Sequence, residues 1–155
     1  MSATERRPLN VVMNVERYGS VVGQPSPERA LSIGKVLKCI IAADGAVSAT
    51  ELAAFLDMSV MFGLSEQQAA QFVAFDPRST TLAQCLQGLQ NDALTRRMLY
   101  DAIRISSVDG YAGAERAAVR SAARAMQIDD ATVALLEGLV HAEQGVAEMR
   151  NRLLG

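Results

Sequence analysis

The sequence has no tryptophan, a single histidine, two cysteines and four prolines, and only 5% of its 155 residues are aromatic. Cys39 and Cys85 are far apart and form no Cys-x-x-Cys pair. Neither a disulfide framework nor a zinc site is suggested, and both read as buried small hydrophobes. His141 has only Glu137 nearby as a further ligand type, so it reads as a packed or surface residue. No Ser-His-Asp or Cys-His arrangement and no glycine-rich phosphate loop can be traced, and the expectation is that the protein is not an enzyme. Positive charge is also scarce: the net charge is −2 and Lys or Arg never occurs more than twice in succession, which argues against nucleic acid as a partner. No segment approaches the roughly 18 uninterrupted apolar residues of a transmembrane span, and MSATERRPLNVV lacks the apolar run of a signal peptide. A soluble cytoplasmic protein is expected.

Half the residues are hydrophobic. Ala, Leu, Met, Gln and Arg dominate the middle and C-terminal stretches, while runs of β-branched residues are almost absent. These residues lose little rotamer freedom in a helix, so the spacing and composition predict an all-α fold of seven or eight helices in one domain. Residues 1–25 read as an N-terminal arm or short helix with a loop, and residues 26–155 as the helical domain. Ser26 and Pro27 open a first helix with an inward stripe of Ile33, Val36, Leu37, Ile40 and Ile41. Ser48 and Glu51 form a capping box for a second, with Phe55, Met58 and Phe62 on its apolar face; Ser65 and Gln68 do the same for a third. Asp76-Pro77 breaks the chain. Helices are then expected over TTLAQCLQGLQ, DALTRRMLYDAIRISSV, 114–126 and 130 to about 153. The last carries Leu135, Leu139, Ala142, Val146 and Met149 at helical spacing, with a kink or break expected at Gly145. The methionines read mostly as core filling.

The chain repeats itself. Setting Asp44-Gly45 on Asp109-Gly110 places Ile33 on Met98 and Ile40 on Ile105; with one residue fewer in the second copy, Glu51 falls on Glu115, Phe55 on Val119, Phe62 on Met126 and Leu64 on Ile128. Each copy, about 32–75 and 97–140, is helix, Asp-Gly turn, helix, break, helix. Each leaves an apolar face that the other can cover, so the two should pack as one domain. The second copy has Ala112 and Gly113 where the first has Val47 and Ser48.

DGAVSATE matches the second half of an EF-hand loop in spacing, but the full loop needs oxygen ligands two and four residues earlier. Those positions are Ala42 and Ile40, and in the second copy Ser107 and Ile105, so an EF-hand is not expected. Glu51 and Glu115 lean toward the buried stripes of their helices, and a half-buried carboxylate needs a partner. Two accounts are open. Asp44 and Glu51 can accept amides of their own turn and cap. Alternatively, the repeat brings Asp44, Glu51, Asp109 and Glu115 close enough to share a divalent cation such as calcium, magnesium, manganese or zinc. Between Cys39 and Pro77 there are five acidic side chains and no Lys or Arg, a one-signed stretch suited to a cation or a basic partner. Arg116, Arg120 and Arg124, spaced by four on one helix, form either a solvated face or a grip for an acidic peptide, a phosphate group or a second copy of the chain.

IIAADGAVSATEL with FGLSEQQ, and RISSVDGYAGAERAAV with MQIDDAT, make the chain resemble the TerB-like family: the tellurite-resistance TerB proteins and the related N-terminal region of DjlA-type co-chaperones. The resemblance covers roughly residues 32–140. It implies an all-α domain with an acidic surface, tied to no catalysed reaction. It also implies divalent-cation binding and service in cytoplasmic stress-response or membrane-associated assemblies. Two functions are therefore expected to compete: a divalent-cation-responsive interaction module, or a metal-independent scaffold or adaptor that holds other proteins, or another copy of itself, through its helical faces.

Overall fold

The computed structural model describes residues 25–61, 65–108, 110–111 and 113–155, with the backbone alone over 58–61. The expected N-terminal arm, except Pro25, lies outside the described residues, as do Phe62 and Asp109. Among the described residues the chain is all-α: α1 (Pro27–Ile41), α2 (Ala49–Met61), α3 (Glu66–Ala74), a 3-10 turn (Pro77–Ser79), α4 (Leu82–Cys85), α5 (Ala93–Ser106), α6 (Gly113–Ala125) and α7 (Asp130–Leu154).

Local chemistry starts each element. The Ser26 side chain accepts from the Arg29 amide, and Pro27, which has no amide hydrogen to satisfy, takes the first helical position. Ser65 with Gln68 and Thr81 with Gln84 close reciprocal capping boxes, while Asp92 and Asp129 cap α5 and α7. All five residues of the expected α1 stripe are buried. Helices α1 and α5 form the centre: α1 packs against α3, α4, α5 and α6, and α5 against α1, α2, α6 and α7. Val36, Ile40, Ile41, Met98, Leu99, Ile103 and Val119 meet between them as the core. The ring of Phe72 of α3 packs against Gly34, where a Cβ would come within 2.1 Å of it. This is a contact that only glycine allows.

Two expectations need correction. The helix expected over residues 80–90 is a single turn, because Leu86 is the one buried residue there and Gly88, at φ 77°, turns the chain away. The expected break at Gly145 does not occur; α7 runs unbroken from Asp130 to Leu154, since glycine permits a kink without imposing one. The apolar stripe of α7 does not face the core. Val133 and Val140 are buried, whereas Leu135, Leu139, Val146 and Met149 are exposed. Polar anchors set this rotation: Glu137 turns toward the arginines of α6, and Glu143 accepts a hydrogen bond from the Tyr100 hydroxyl of α5 at 2.6 Å. Met98 and Met126 do fill the core, but Met149 stands on the surface.

Candidate functional site

The two Asp-Gly turns share a backbone device: Gly45 and Gly110 adopt φ 116° and 107°, in the left-handed region that glycine reaches without strain. In the first turn, Asp44 Oδ1 accepts from the Ala46 amide at 3.3 Å. The Ser48 amide donates to Glu51 Oε2 at 2.8 Å, and the Glu51 amide donates to Ser48 Oγ at 3.1 Å. The capping box read from S-x-x-E is thus formed, and it accounts for a carboxylate whose residue is only 5% exposed. Of the four expected carboxylates, Asp109 lies outside the described residues. Glu115 lies in the first turn of α6, 2% exposed, where a carboxylate also complements the helix dipole. Among the described residues, no three of His, Cys, Asp and Glu gather as a metal-binding group.

The arginine stripe has partners within the chain. Arg116 Nε lies 3.5 Å from Glu137, Arg120 reaches Glu137 at 3.1 Å and Asp130 at 3.8 Å, and Arg124 reaches Asp130 at 3.2 Å. Tyr111 joins them: its hydroxyl donates to Glu137 Oε1 at 3.2 Å, and the Arg116 guanidinium lies 5.1 Å from its ring centre. Burial, then the neighbouring Glu137 carboxylate, pushes the Tyr111 phenol well above its ordinary range. This ladder clamps α6 to α7. Arg116 and Arg124 remain largely exposed along it, so their outer edges still face solvent. His141 is exposed on α7 beside a recess of about 380 Å³ lined by Tyr111, Arg116, Glu137 and Gln144.

Two buried charges escaped the sequence patterns. Asp101, wholly buried on α5, is bonded by Arg97 at 2.9 Å with Arg104 at 3.8 Å. Burial raises its carboxyl above the usual range while the two guanidinium groups pull it back. Lys38 of α1 donates from Nζ to the carbonyls of Phe72 and Val73 at 2.7 and 2.8 Å, closing the C-terminal end of α3, and burial lowers its ammonium below the ordinary lysine value. The spacing of Arg97, Asp101 and Arg104 on one helix was a signal for the first group. Nothing local announces the second, whose acceptors lie 34 and 35 residues away.

The largest uncovered feature is the outer face of α7. Leu135, Val146, Met149 and Leu153 are 74%, 50%, 58% and 80% exposed, and Leu139 and Ala142 complete the row. The intervals from 135 to 153 are four, three, four, three and four, the spacing of an a/d coiled-coil seam. Gly138 and Gly145 lie beside it, and a Cβ at either would meet nothing within 4 Å. Among the described residues no helix is long and apolar enough to cross a membrane.

Neither a family model nor a curated protein matches the chain. Among solved structures it is similar to a tellurite resistance protein from Nostoc punctiforme PCC 73102, with a TM-score of 0.72 and 21% identity, over 94% of this chain and 92% of that one. The fold is accordingly TerB-like, an all-helical architecture, as the paired Asp-Gly motifs implied.

Proposed function

We propose that this chain is a non-enzymatic, TerB-like interaction module that docks through the outer face of α7, and that the occupant of that face is the α7 of a second copy. The exposed a/d row carries this assignment: a 25-residue helix with an apolar seam of period 3.5 is built to meet another helix, and that period has no use on a solvated surface. Charge selects the orientation. In an antiparallel pair with Val146 opposite Met149, Ala142 meets Leu153, and Glu143 of each copy falls beside Arg150 of the other. Gly145 then lies beneath the arm of Arg152, where a larger side chain would intrude. The similarity to a tellurite resistance protein makes a stress response, in a cytoplasmic or membrane-associated assembly, the setting we propose for the pairing.

A charge reversal tests the pairing. Arg150→Glu should weaken self-association at least tenfold by placing like charges side by side; unchanged association removes this orientation.

A cation-responsive form of the module is the second reading. What favours it is that both units bury a carboxylate, Glu51 and Glu115, just after a left-handed glycine turn. Calcium, magnesium, manganese or zinc at millimolar concentration should then raise the melting temperature of the wild type but not of a chain carrying Asp44→Asn and Asp109→Asn. No heat of binding and no shift would leave these carboxylates as helix caps.

A further inference from the structure

Cys39 of α1 and Cys85 at the end of α4 are 46 residues apart in sequence, yet their sulfurs lie 3.7 Å apart. Sequence spacing gave no reason to pair them; packing of α4 against α1 does. Both thiols are free and partly buried, and Cys39 opens onto a recess of about 450 Å³ shared with Ala42, Val47, Asp76 and Arg78. We propose that Cys39 and Cys85 are a redox-active dithiol, which a hydroperoxide converts to a disulfide that staples α1 to α4.

The geometry is that of a reduced pair within reach of bonding. A disulfide needs its sulfurs at about 2.05 Å, so closure must draw them together by less than about 2 Å. The element asked to move is a single helical turn, followed by the left-handed Gly88. Burial, then the hydrogen bond with Cys85, pushes the Cys39 thiol up to about 12. One thiol of the pair, as thiolate, attacks the hydroperoxide, breaking the O–O bond, releasing an alcohol (water from hydrogen peroxide) and leaving a sulfenic acid. The other sulfur then displaces hydroxide from the sulfenic sulfur, and its proton leaves with that hydroxide as water. Two thiols and one hydroperoxide thus give one disulfide, one alcohol and one water, and a dithiol reductant reverses the change. The closed loop encloses the first Asp-Gly turn, α2 and α3, so oxidation would crosslink across the first repeat unit.

The test uses the full chain exposed to a small excess of hydrogen peroxide and then to dithiothreitol. The expected product is a monomeric chain lighter by two hydrogens, with a Cys39–Cys85 crosslinked peptide and a melting temperature raised by roughly 5–10 °C, all reversed by reductant. Cys39→Ser and Cys85→Ser should each abolish the crosslink. Intact thiols after peroxide, separate oxidation of each sulfur to a sulfinic acid, or disulfides formed only between molecules would overturn the proposal, and the wild-type mass alone decides among these.

Discussion

The two repeat units begin alike and finish differently. Ser65 and Asp129 occupy matching positions and cap matching helices, yet α3 ends at Ala74, before Phe75-Asp76-Pro77, whereas α7 continues to Leu154. Under the repeat alignment Ala74 corresponds to Gly138, so α7 from Leu139 onward has no counterpart in the first unit. The portion of α7 that matches α3 is held by the arginines of α6. Beyond it, apart from the buried Val140 and the Glu143–Tyr100 bond, the added turns carry their apolar residues on the surface. A duplicated unit supplies only as much core as its twin can cover, and what one copy adds beyond that becomes surface available for a partner.

The central helices differ in the same manner, since α1 buries a cation against backbone carbonyls and α5 buries an anion between two guanidinium groups. Asp101→Ala should therefore have the largest effect, about 3–5 kcal/mol of lost stability in chemical denaturation, because it removes the buried carboxylate shared by two arginines that are 12% and 23% exposed. Lys38→Met, which removes only the donors to Phe72 and Val73, should cost about 1–3 kcal/mol. Equal losses would dissolve the contrast between the units.

Gly34 and its repeat counterpart Leu99 sharpen it further. Leu99 is a core side chain, while Gly34 is the floor on which Phe72 rests. Gly34→Ala should destabilise by about 1–3 kcal/mol despite the better helix propensity of alanine, because the ring must shift. Gly145→Ala should do the opposite in dilute solution, gaining about 0.5–1 kcal/mol, since nothing within the chain occupies that space. Thermal melts of the two variants side by side separate a glycine required by the fold from one that the fold does not require.

The smallest difference lies in the matching caps. The Thr132 amide holds the Asp129 carboxyl below its usual range, whereas Ser65 does not ionise. With its folded value below the unfolded one of about 3.9, Asp129 contributes stability above that pH and loses it as the pH falls through the folded value. Asp129→Ser should flatten the acid limb of a melting-temperature profile slightly, and Ser65→Ala should leave its shape unchanged.

Wherever a short-range rule sufficed, the sequence was legible. Ser26-Pro27, Ser48/Glu51, Ser65/Gln68 and both glycine turns follow from capping and backbone sterics within four residues, and the α1 stripe follows from helical period. The orientation of α7 was not legible, because its apolar row and its Val133–Val140 face have the same period; the choice between them depends on Glu137 and Glu143 finding partners on α6 and α5. The Cys39–Cys85 pair was hidden for the same reason, being made by helix packing across 46 residues. The α6 arginines were visible as a stripe, but their carboxylate partners on α7 became apparent only with the packing of the two helices.

Sedimentation velocity across a wide concentration range, run on the wild type and on Val146→Asp, tests most directly whether the added length of α7 is a pairing surface. A concentration-dependent shift from monomer to dimer in the wild type, lost in the variant with an unchanged helical circular dichroism spectrum, is the predicted result. Identical monomeric profiles for both proteins at every concentration would contradict it.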